Sequence, residues 1–334
     1  MSSEAASATG PILEVVELRK YFSARRTLLG AFRKPQPDVR AVDGVSFELQ
    51  RGEVLALVGE SGCGKTTTAM SVLGLEEPSA GTILFEGRPL FETLHRDRSL
   101  RQAIQMVFQD PYESLNPRMT IAQLVGEPLE VHKLYRTAEE RRQKVYAALE
   151  EVGLRPAAEF ANRLPHELSG GQRQRVVIAG ALVTNPRLLV ADEPVSMLDV
   201  SIRAEILMLL NELRRTHGIS ILFITHDLAT AALFADRIAV MYLGRIVELG
   251  PTSELLQQPQ HPYTKALLSV IPSPDPRHRR QRIILRGETP NPADIPSGCR
   301  FHPRCPLAQE TCRQHDPVLA RKQGHDVACL LVEP

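Results

Sequence analysis

The residues with the most specific chemistry in this chain lie between positions 59 and 67. They form a glycine-rich loop ending in a lysine and threonines, namely Gly59, Glu60, Ser61, Gly62, Cys63, Gly64, Lys65, Thr66 and Thr67. Glycines let successive backbone N–H groups point inward at phosphate oxygens. Lysine adds a charge for the β- and γ-phosphates, and the first threonine hydroxyl can ligate Mg²⁺. The pattern predicts a nucleoside triphosphate site with Mg²⁺, against the alternative of a glycine-rich turn without a ligand.

The context of this loop is what a phosphate loop requires. Five apolar residues over 54–58 predict a buried strand before it, and a helix is expected from Lys65 to about Gly74. Further strands are predicted over 12–22, 42–49, 81–87, 104–109, 188–193 and 219–225, and helices over 137–152, 173–183 and around 202–213. Alternation of strands and helices predicts an α/β fold with a parallel sheet, which binds ligands beyond the carboxyl ends of its strands.

Polar side chains follow the predicted strands at that edge. Asp192 and Glu193 end one buried strand, Gln109 ends another, and His226 follows a third. Together with the glycine-rich loop they make a site suited to phosphate chemistry. Between about 111 and 180 the sequence pattern becomes helical, which predicts an inserted helical region.

Composition narrows the class of protein. The 334 residues carry 40 basic and 39 acidic side chains, so a net charge of +1 provides no excess for nucleic acid. No apolar run approaches the roughly 18 residues that a membrane span needs, and no secretory signal precedes the chain, so a cytosolic location is expected. Residues 1–10 are predicted to be a disordered tail. The basic stretch 23–40 is either a solvated loop or a surface that faces a partner or membrane.

The C-terminal region has its own composition. Eleven of the 25 prolines lie between Pro251 and Pro306, which predicts an extended segment poor in sheet. Four of the five cysteines follow one another in the tail, namely Cys299, Cys305, Cys312 and Cys329. A cytosolic location disfavours disulfides and favours a metal site. Four thiolates suit zinc and an iron–sulfur cluster equally, and unliganded thiols are the third possibility.

Several of these motifs together resemble one family. Their order and approximate spacing are those of an ABC-type ATPase cassette, from about residue 12 to the 260s, and the residues concerned are 59–66, Gln109, 168–172 (Leu-Ser-Gly-Gly-Gln), 188–193, 196–199 and His226. The resemblance implies a phosphate-loop fold with a parallel-sheet core, an antiparallel β subdomain and an inserted helical subdomain at about 111–180. It places the ATPase domain at 11–255 and a Pro-rich, Cys-containing extension at 256–334.

The resemblance also implies roles for individual residues. Glu193 is similar to the general base, His226 to the switch histidine that orients it, and Gln109 to the sensor of the γ-phosphate. Mg²⁺ would be held by Thr66, Gln109 and Asp192.

Two further groups of residues are implied to contact ATP. Phe22, in preference to Tyr21, matches the aromatic residue that stacks on adenine. The signature loop is implied to close over ATP held by a second cassette, with a neighbouring loop crossing the interface; the residues are Ser169, Gly170, Gly171, Gln172 and Asp199.

Flanking segments resemble the oligopeptide/dipeptide importer ATPases, a subfamily that also serves nickel. These segments are 109–117, 169–175 and 261–268, together with the long insertion before Ala41. The resemblance implies four partners: a second ATPase in a heterodimer, two membrane permeases and, indirectly, a substrate-binding protein. It implies a place at the cytoplasmic face of the membrane, and it favours [4Fe–4S] over zinc for the cysteines.

Other functions are left open by the sequence. A soluble ABC ATPase of repair or translation usually has a coiled-coil insertion or a second cassette, and neither is present. A non-hydrolysing regulatory cassette is disfavoured by the intact Glu193. An importer of nickel or another small solute is the remaining alternative to peptide import.

Overall fold

The computed structural model of the chain describes residues 10–23, 38–97, 99–271 and 281–333. The predicted tail at 1–10 therefore lies outside the described residues except for Gly10, and so does the basic stretch 23–40 except at its ends.

The described strands are β1 (Leu13–Phe22), β2 (Val39–Leu49), β3 (Val54–Val58), β4 (Ala80–Phe85), β5 (Arg88–Pro89), β6 (Ile104–Val107), β7 (Leu188–Asp192), β8 (Ser220–Thr225), β9 (Arg237–Tyr242), β10 (Arg245–Pro251), β11 (Ala320–Lys322) and β12 (His325–Val327). The described helices are α1 (Lys65–Val72), α2 (Leu90–Arg96), α3 (Leu100–Ala103), α4 (Pro111–Ser114), α5 (Ile121–Val131), α6 (Ala138–Glu151), α7 (Ala157–Ala161), α8 (Gly170–Leu182), α9 (Val200–His217), α10 (Leu228–Phe234), α11 (Thr252–Gln257), α12 (Pro262–Ser269) and α13 (Glu310–Gln314), with a 3-10 turn at Pro165–Glu167.

These elements form two compact units, each assembled from separate stretches of sequence. The first unit contains Glu86–Phe223, Leu49–Glu53 and the residues up to Ile12. The second unit contains Leu13–Glu48, Val54–Phe85 and the chain from Ile224 onward. The glycine-rich loop and the cysteine-bearing tail therefore belong to the same unit, although more than 200 residues separate them in sequence.

The first unit combines parallel strands with a group of helices. Strand β7 lies between β8 and β6, and it runs parallel to β6, with Ile104 opposite Leu188. The regular elements described between residues 111 and 180 are helices, with α5 packed against both α6 and α8. Side chains of Val125, Val145 and Val176 are buried in this group. Local signals fix the helix starts, since Thr120 and Gln123 form a capping box at α5.

The second unit contains two sheets. One is antiparallel, with strand order β2-β1-β4. The other runs β11-β12-β10-β9-β3, with β3 parallel to β9 and the remaining pairs antiparallel. All five residues of β3 are buried, as the apolar run predicted. The tail contributes β11 and β12 to this sheet, which its proline content did not predict. The fold of the chain is of the α/β class, as expected from the sequence.

Buried polar groups tie the start of α12 to this sheet. Glu248 on β10 is fully buried and accepts hydrogen bonds from the backbone N–H groups of Gln260 (2.6 Å) and His261 (3.1 Å). The same carboxylate lies 2.7 Å from Nε2 of His325 on β12. Nδ1 of His261 in turn accepts from the N–H of Tyr263 at 3.1 Å, which caps α12.

We expect His261 to make the stability of the fold depend on pH. Burial lowers the pKa of His261 from 6.5 to about 4, and the charge of Glu248 only partly opposes this shift. Between those two values the unfolded chain binds a proton that the folded chain does not, so acidification from pH 6.5 to 4 should remove roughly 3 kcal/mol from the free energy of unfolding.

The variant His261→Asn tests this expectation by chemical denaturation at several pH values. Asparagine keeps a side-chain acceptor at the helix start and does not titrate, so the loss of stability on acidification should be smaller than in the wild type. His95→Asn, at an exposed position, serves as the control and should keep the wild-type pH profile. A wild-type profile in His261→Asn would contradict the assignment.

Candidate nucleotide-binding site

The glycine-rich loop connects β3 to α1 in the second unit. Gly64, the residue before α1, has φ +105°, in the left-handed region that favours glycine. The buried Lys65 Nζ donates to the carbonyl oxygens of Gly59 (2.7 Å) and Glu60 (3.0 Å). Thr66, the next residue of α1, is exposed. The start of a helix thus lies at the end of a loop whose ammonium group binds only backbone oxygens and a sulfur among its described partners.

The loop is closely packed against the backbone of neighbouring strands. A Cβ atom on Gly59 would lie 2.1 Å from the carbonyl oxygen of Met241, and one on Gly64 would lie 2.2 Å from that of Ala41. Gly62 has φ +77°. Only glycine fits these positions, so the loop keeps its main chain tightly curved with side chains excluded. This cradle suits a triphosphate, because backbone N–H groups at a helix start attract anions.

Three other predicted residues belong to the second unit. Phe22 ends β1 with 41% of its surface exposed, and Nζ of Lys20 lies 5.1 Å from the centre of its ring. The hydroxyl of the neighbouring Tyr21 donates to Asp43. The adenine-stacking role of Phe22, or of Tyr21, remains a prediction. His226 is exposed immediately after β8, at the position that the sequence predicted.

In the first unit, the structure brings two predicted catalytic residues together. Nε2 of Gln109 donates to Oε2 of Glu193 at 3.2 Å, across 84 residues of sequence. Asp192 is the last residue of β7 and is buried, while Glu193 follows it with φ +46°. A left-handed backbone is uncommon for a residue with a side chain and is often found at functional sites. The backbone of Glu193 is held there by Ser196, whose N–H and hydroxyl both donate to its carbonyl oxygen, at 3.2 and 3.1 Å.

The strand before Gln109 is shorter than predicted. Strand β6 ends at Val107, so Phe108 and Gln109 lie in the following loop. The apolar run that predicted the strand continues through Phe108, although this side chain is 44% exposed. Gln109 therefore projects from a loop rather than from a strand.

The signature loop begins a helix earlier than the sequence predicted. Helix α8 starts at Gly170 rather than at Arg173. Ser169 and Gln172 form a capping box, in which the serine hydroxyl accepts from the N–H of Gln172 (3.3 Å) and the glutamine side chain accepts from the N–H of Ser169 (3.0 Å). This capping offsets the low helix propensity of the two glycines.

The second glycine of the signature loop also has a packing role. A Cβ atom on Gly171 would lie 2.6 Å from the side chain of Ile202 on α9. Asp199, immediately before α9, is exposed and makes no capping hydrogen bond with its side chain. The signature loop and Asp199 thus flank the α8–α9 contact within one unit.

The sequence did not identify two residues that contact the glycine-rich loop. Arg304 and Thr289, both in the C-terminal extension, bind the carboxylate of Glu60. Neither lies in a motif, and 244 residues separate Arg304 from Glu60. The side chain of Glu60 is thus bound to the extension, and its predicted contact with phosphate remains a prediction.

The four tail cysteines lie near one another without forming a ligand set. Burial, followed by smaller contributions from Cys312, Cys329 and Cys305, raises the pKa of the Cys299 thiol to about 11. Burial likewise raises the pKa of Cys305. Metal ligation requires thiolates. Within the described ranges, no group of three or more His, Cys, Asp or Glu side chains is arranged to hold a metal ion. The geometry therefore does not fit an assembled [4Fe–4S] or zinc site.

None of the helices in the described part of the chain has both the length and the apolar character needed to cross a bilayer.

Comparison with known proteins agrees with these observations. The model of the ABC transporter family matches residues 42–196, and that of the oligopeptide/dipeptide transporter C-terminal region matches residues 247–312. The oligopeptide transport ATP-binding protein AppF of Bacillus subtilis is 48% identical over 96% of this chain and 97% of its own length. The dipeptide transport ATP-binding protein DppF of Haemophilus influenzae is also 48% identical, over 97% of each chain.

Solved structures show the same fold. CbiO1 of Clostridium perfringens, part of an ABC transporter complex, is 32% identical with a TM-score of 0.63, over 75% of this chain and 92% of its own. The bacterial ABC transporter cassette MJ0796, solved as a dimer, is 28% identical with a TM-score of 0.61, over 72% of this chain and 98% of its own. The chain therefore belongs to the ABC transporter ATP-binding proteins, within their oligopeptide/dipeptide transporter family, and is an ATPase.

Proposed function

We propose that this chain is the ATP-hydrolysing subunit of a membrane importer that takes up dipeptides and oligopeptides. The observation that carries the proposal is the likeness, along almost the whole chain, to relatives named as oligopeptide and dipeptide transport ATP-binding proteins. The match includes residues 247–312, which fit the family model described as the C-terminal region of oligopeptide/dipeptide transporters. The glycine-rich loop at the start of α1, and the successive carboxylates of Asp192 and Glu193 at the end of β7, each support this proposal within their own unit.

In this proposal the loop binds the triphosphate through its backbone and Lys65. Phosphate oxygens would replace the carbonyl oxygens of Gly59 and Glu60 as partners of the ammonium group. Thr66, together with Asp192 and Gln109, would hold Mg²⁺, which neutralises charge on the phosphates when bound.

Glu193 is proposed as the general base for the attacking water. Its hydrogen bond with Gln109 fixes the direction of its carboxylate, and the turn closed by Ser196 fixes its backbone. His226, exposed after β8, is proposed to orient the base and contact the γ-phosphate.

The signature loop, 169–172, is proposed to act on the ATP of a second cassette. The capping box occupies the N–H groups of Ser169 and Gln172, while those of Gly170 and Gly171 lie at the N-terminal end of α8, where the helix dipole favours a phosphate. Asp199 would lie in the same interface. The solved neighbour MJ0796 is described as a dimer, which supports the pairing of two cassettes. A heterodimer with a second ATPase is the arrangement we propose here.

Attachment to the membrane is proposed to occur through two permease subunits, which receive the solute from a substrate-binding protein. Exposed aromatic side chains after β6 support this, with Phe108 at 44% and Tyr112 at 59% exposure. Arg173 stacks on the Tyr112 ring at 4.1 Å and holds it in place. We propose that the chain consists of an ATPase domain at 11–255 and an extension at 256–334. Both would lie at the cytoplasmic face of the membrane.

Fractionation of cells tests the importer function. We expect the chain to sediment with membranes and to be captured together with two membrane subunits. An extract in which it sediments only with ribosomes or nucleic acid would contradict the proposal and favour a soluble ABC ATPase.

The base role of Glu193 predicts a separation of binding from turnover. Glu193→Gln should keep the affinity for ATP and the hydrogen-bonding shape of the side chain, and it should lower kcat at least a hundredfold because the amide accepts no proton. Lys65→Ala should instead weaken ATP binding. Both are measured by nucleotide titration and steady-state ATPase assay, with the surface variant Glu139→Gln as the control. Wild-type turnover in Glu193→Gln would remove the residue from the base role.

For the tail cysteines we propose a [4Fe–4S] cluster, with zinc as the alternative. Support comes from the four cysteines that the tail carries within one unit of the fold. Binding would require the thiols to lose protons and turn toward a common point, since the described side chains form no ligand set.

Anaerobic purification decides the occupant of these cysteines. We expect about four irons and four sulfides per chain and a brown chromophore that is absent from Cys305→Ser. One zinc ion per chain without sulfide would identify the alternative. Protein with neither metal would contradict both and leave four free thiols.

A further inference from the structure

The phosphate loop contains an acidic side chain beside its lysine. Glu60 is the second residue of the loop. Burial opposes ionisation of its carboxyl group, but hydrogen bonds from Arg304 and Thr289, with smaller contributions from the charges of Arg304 and Lys65, lower its pKa. ATP brings further negative charge to the same loop. A free carboxylate here would both repel the triphosphate and neutralise the ammonium group that binds it. ATP should therefore bind better when another group of the protein binds the Glu60 carboxylate.

Residues of the C-terminal extension bind this carboxylate. Arg304 binds Glu60 with both terminal nitrogens, Nη1 to Oε2 at 2.8 Å and Nη2 to Oε1 at 3.2 Å. The hydroxyl of Thr289 donates to the same Oε2 and accepts from Arg304 at 3.2 Å. This two-pronged geometry is the strongest form of the arginine–carboxylate interaction. Arg304 is 9% exposed and Glu60 30%, so water screens the pair only in part.

The surroundings of Arg304 fix its position. Its guanidinium lies 5.9 Å from the centre of the Tyr242 ring, a residue of β9 that is fully buried. The ring of Tyr242 packs edge-on against Tyr263 and Phe301. The hydroxyl of Tyr263 accepts from the backbone N–H of Glu60 at 3.0 Å. Both the side chain and the main chain of Glu60 are thus held by residues beyond position 260.

A second arginine of the extension holds the other end of the loop. Arg300 forms a buried ion pair with Asp43 and donates to the carbonyl oxygen of Leu243 at 2.7 Å. The N–H of Gly244, the next residue, donates to the carbonyl oxygen of Cys63 in the loop at 2.9 Å. The extension is therefore in contact with the phosphate loop directly at Glu60 and through one turn at Cys63.

We propose that Arg304 and Thr289 are positioning residues of the ATP site, which hold the Glu60 carboxylate away from Lys65 and from the triphosphate. Neither touches ATP; each acts through Glu60. The C-terminal extension is then a part of the ATP-binding site rather than an appendage to it. This inference rests on ATP binding at the loop and is independent of the solute that the importer carries.

A set of variants in the full-length chain separates this role from simple support of the fold. In Arg304→Gln the Glu60 carboxylate loses its ion pair and keeps only the hydrogen bond from Thr289. Kd for MgATP should therefore rise roughly tenfold, while kcat at saturating ATP changes less than twofold. In the double variant Glu60→Gln/Arg304→Gln there is no free carboxylate, and Kd should return to within about threefold of wild type. Kd is measured by titration with a fluorescent ATP analogue, and kcat by phosphate release.

Two further variants complete the experiment. Thr289→Val removes one hydrogen bond and leaves the ion pair, so it should fold normally and raise Kd about two- to threefold, which tests the inference even if Arg304→Gln does not fold. Arg313→Gln, an exposed arginine of the same extension that pairs with Glu310 at 3.8 Å, is the matched control and should keep the wild-type Kd.

The outcomes distinguish the hypotheses. Recovery of ATP affinity in the double variant supports the positioning role. If Arg304 only supported the fold, its loss would raise Kd by the same factor whether residue 60 is glutamate or glutamine. Wild-type affinity in Arg304→Gln and Thr289→Val, or a double variant as weak as Arg304→Gln, would overturn the inference. A wild-type chain that binds no ATP would instead overturn the function proposed above.

Discussion

The fold around the ATP site depends on main chain packed directly against main chain. Gly59 lies against the carbonyl of Met241, and Gly64 lies against that of Ala41, with no room for a Cβ atom at either glycine. The N–H of Gly244 reaches the carbonyl of Cys63, and the N–H of Asp43 reaches that of Gly244. The curvature of the phosphate loop is thus set by the first residues of β2, the end of β9 and the turn between β9 and β10. The presence of glycine in the loop follows from this packing as much as from the ligand.

Much of the fold could be predicted because its signals are local. Five consecutive apolar residues defined β3 to the residue, and Asp192 and Gln109 were expected near the ends of strands that the structure does contain. Local signals failed where tertiary contacts or capping override propensity. The sequence predicts this helix from Arg173, yet the reciprocal hydrogen bonds of Ser169 and Gln172 begin α8 at Gly170. The predicted strand continues through Phe108, whereas β6 ends at Val107. The apolar character of a residue alone does not show whether its backbone pairs with a neighbouring strand.

The interactions that could not be predicted join distant parts of the sequence. Nothing near Arg304 indicates that its partner is Glu60, because an arginine in a proline-rich tail usually faces solvent. The pair is recognisable only when the tail returns to β9 and places Tyr242 beneath the guanidinium. The contact between Gln109 and Glu193 is different, since family resemblance had assigned both residues to one reaction. Resemblance thus identified the shared residues of the site, and physical structure was needed for those outside the motifs.

The two short strands of the tail have a consequence for solubility. Strand β10 would be the last strand of its sheet without them, and it would present an unpaired row of backbone N–H and C=O groups. Pairing with β12 covers Glu248 and Leu249, and the new outermost strand, β11, has only three residues, two of them Arg321 and Lys322. A short, positively charged border is a poor template for another chain. The tail therefore covers an edge of the sheet at which another chain could otherwise pair.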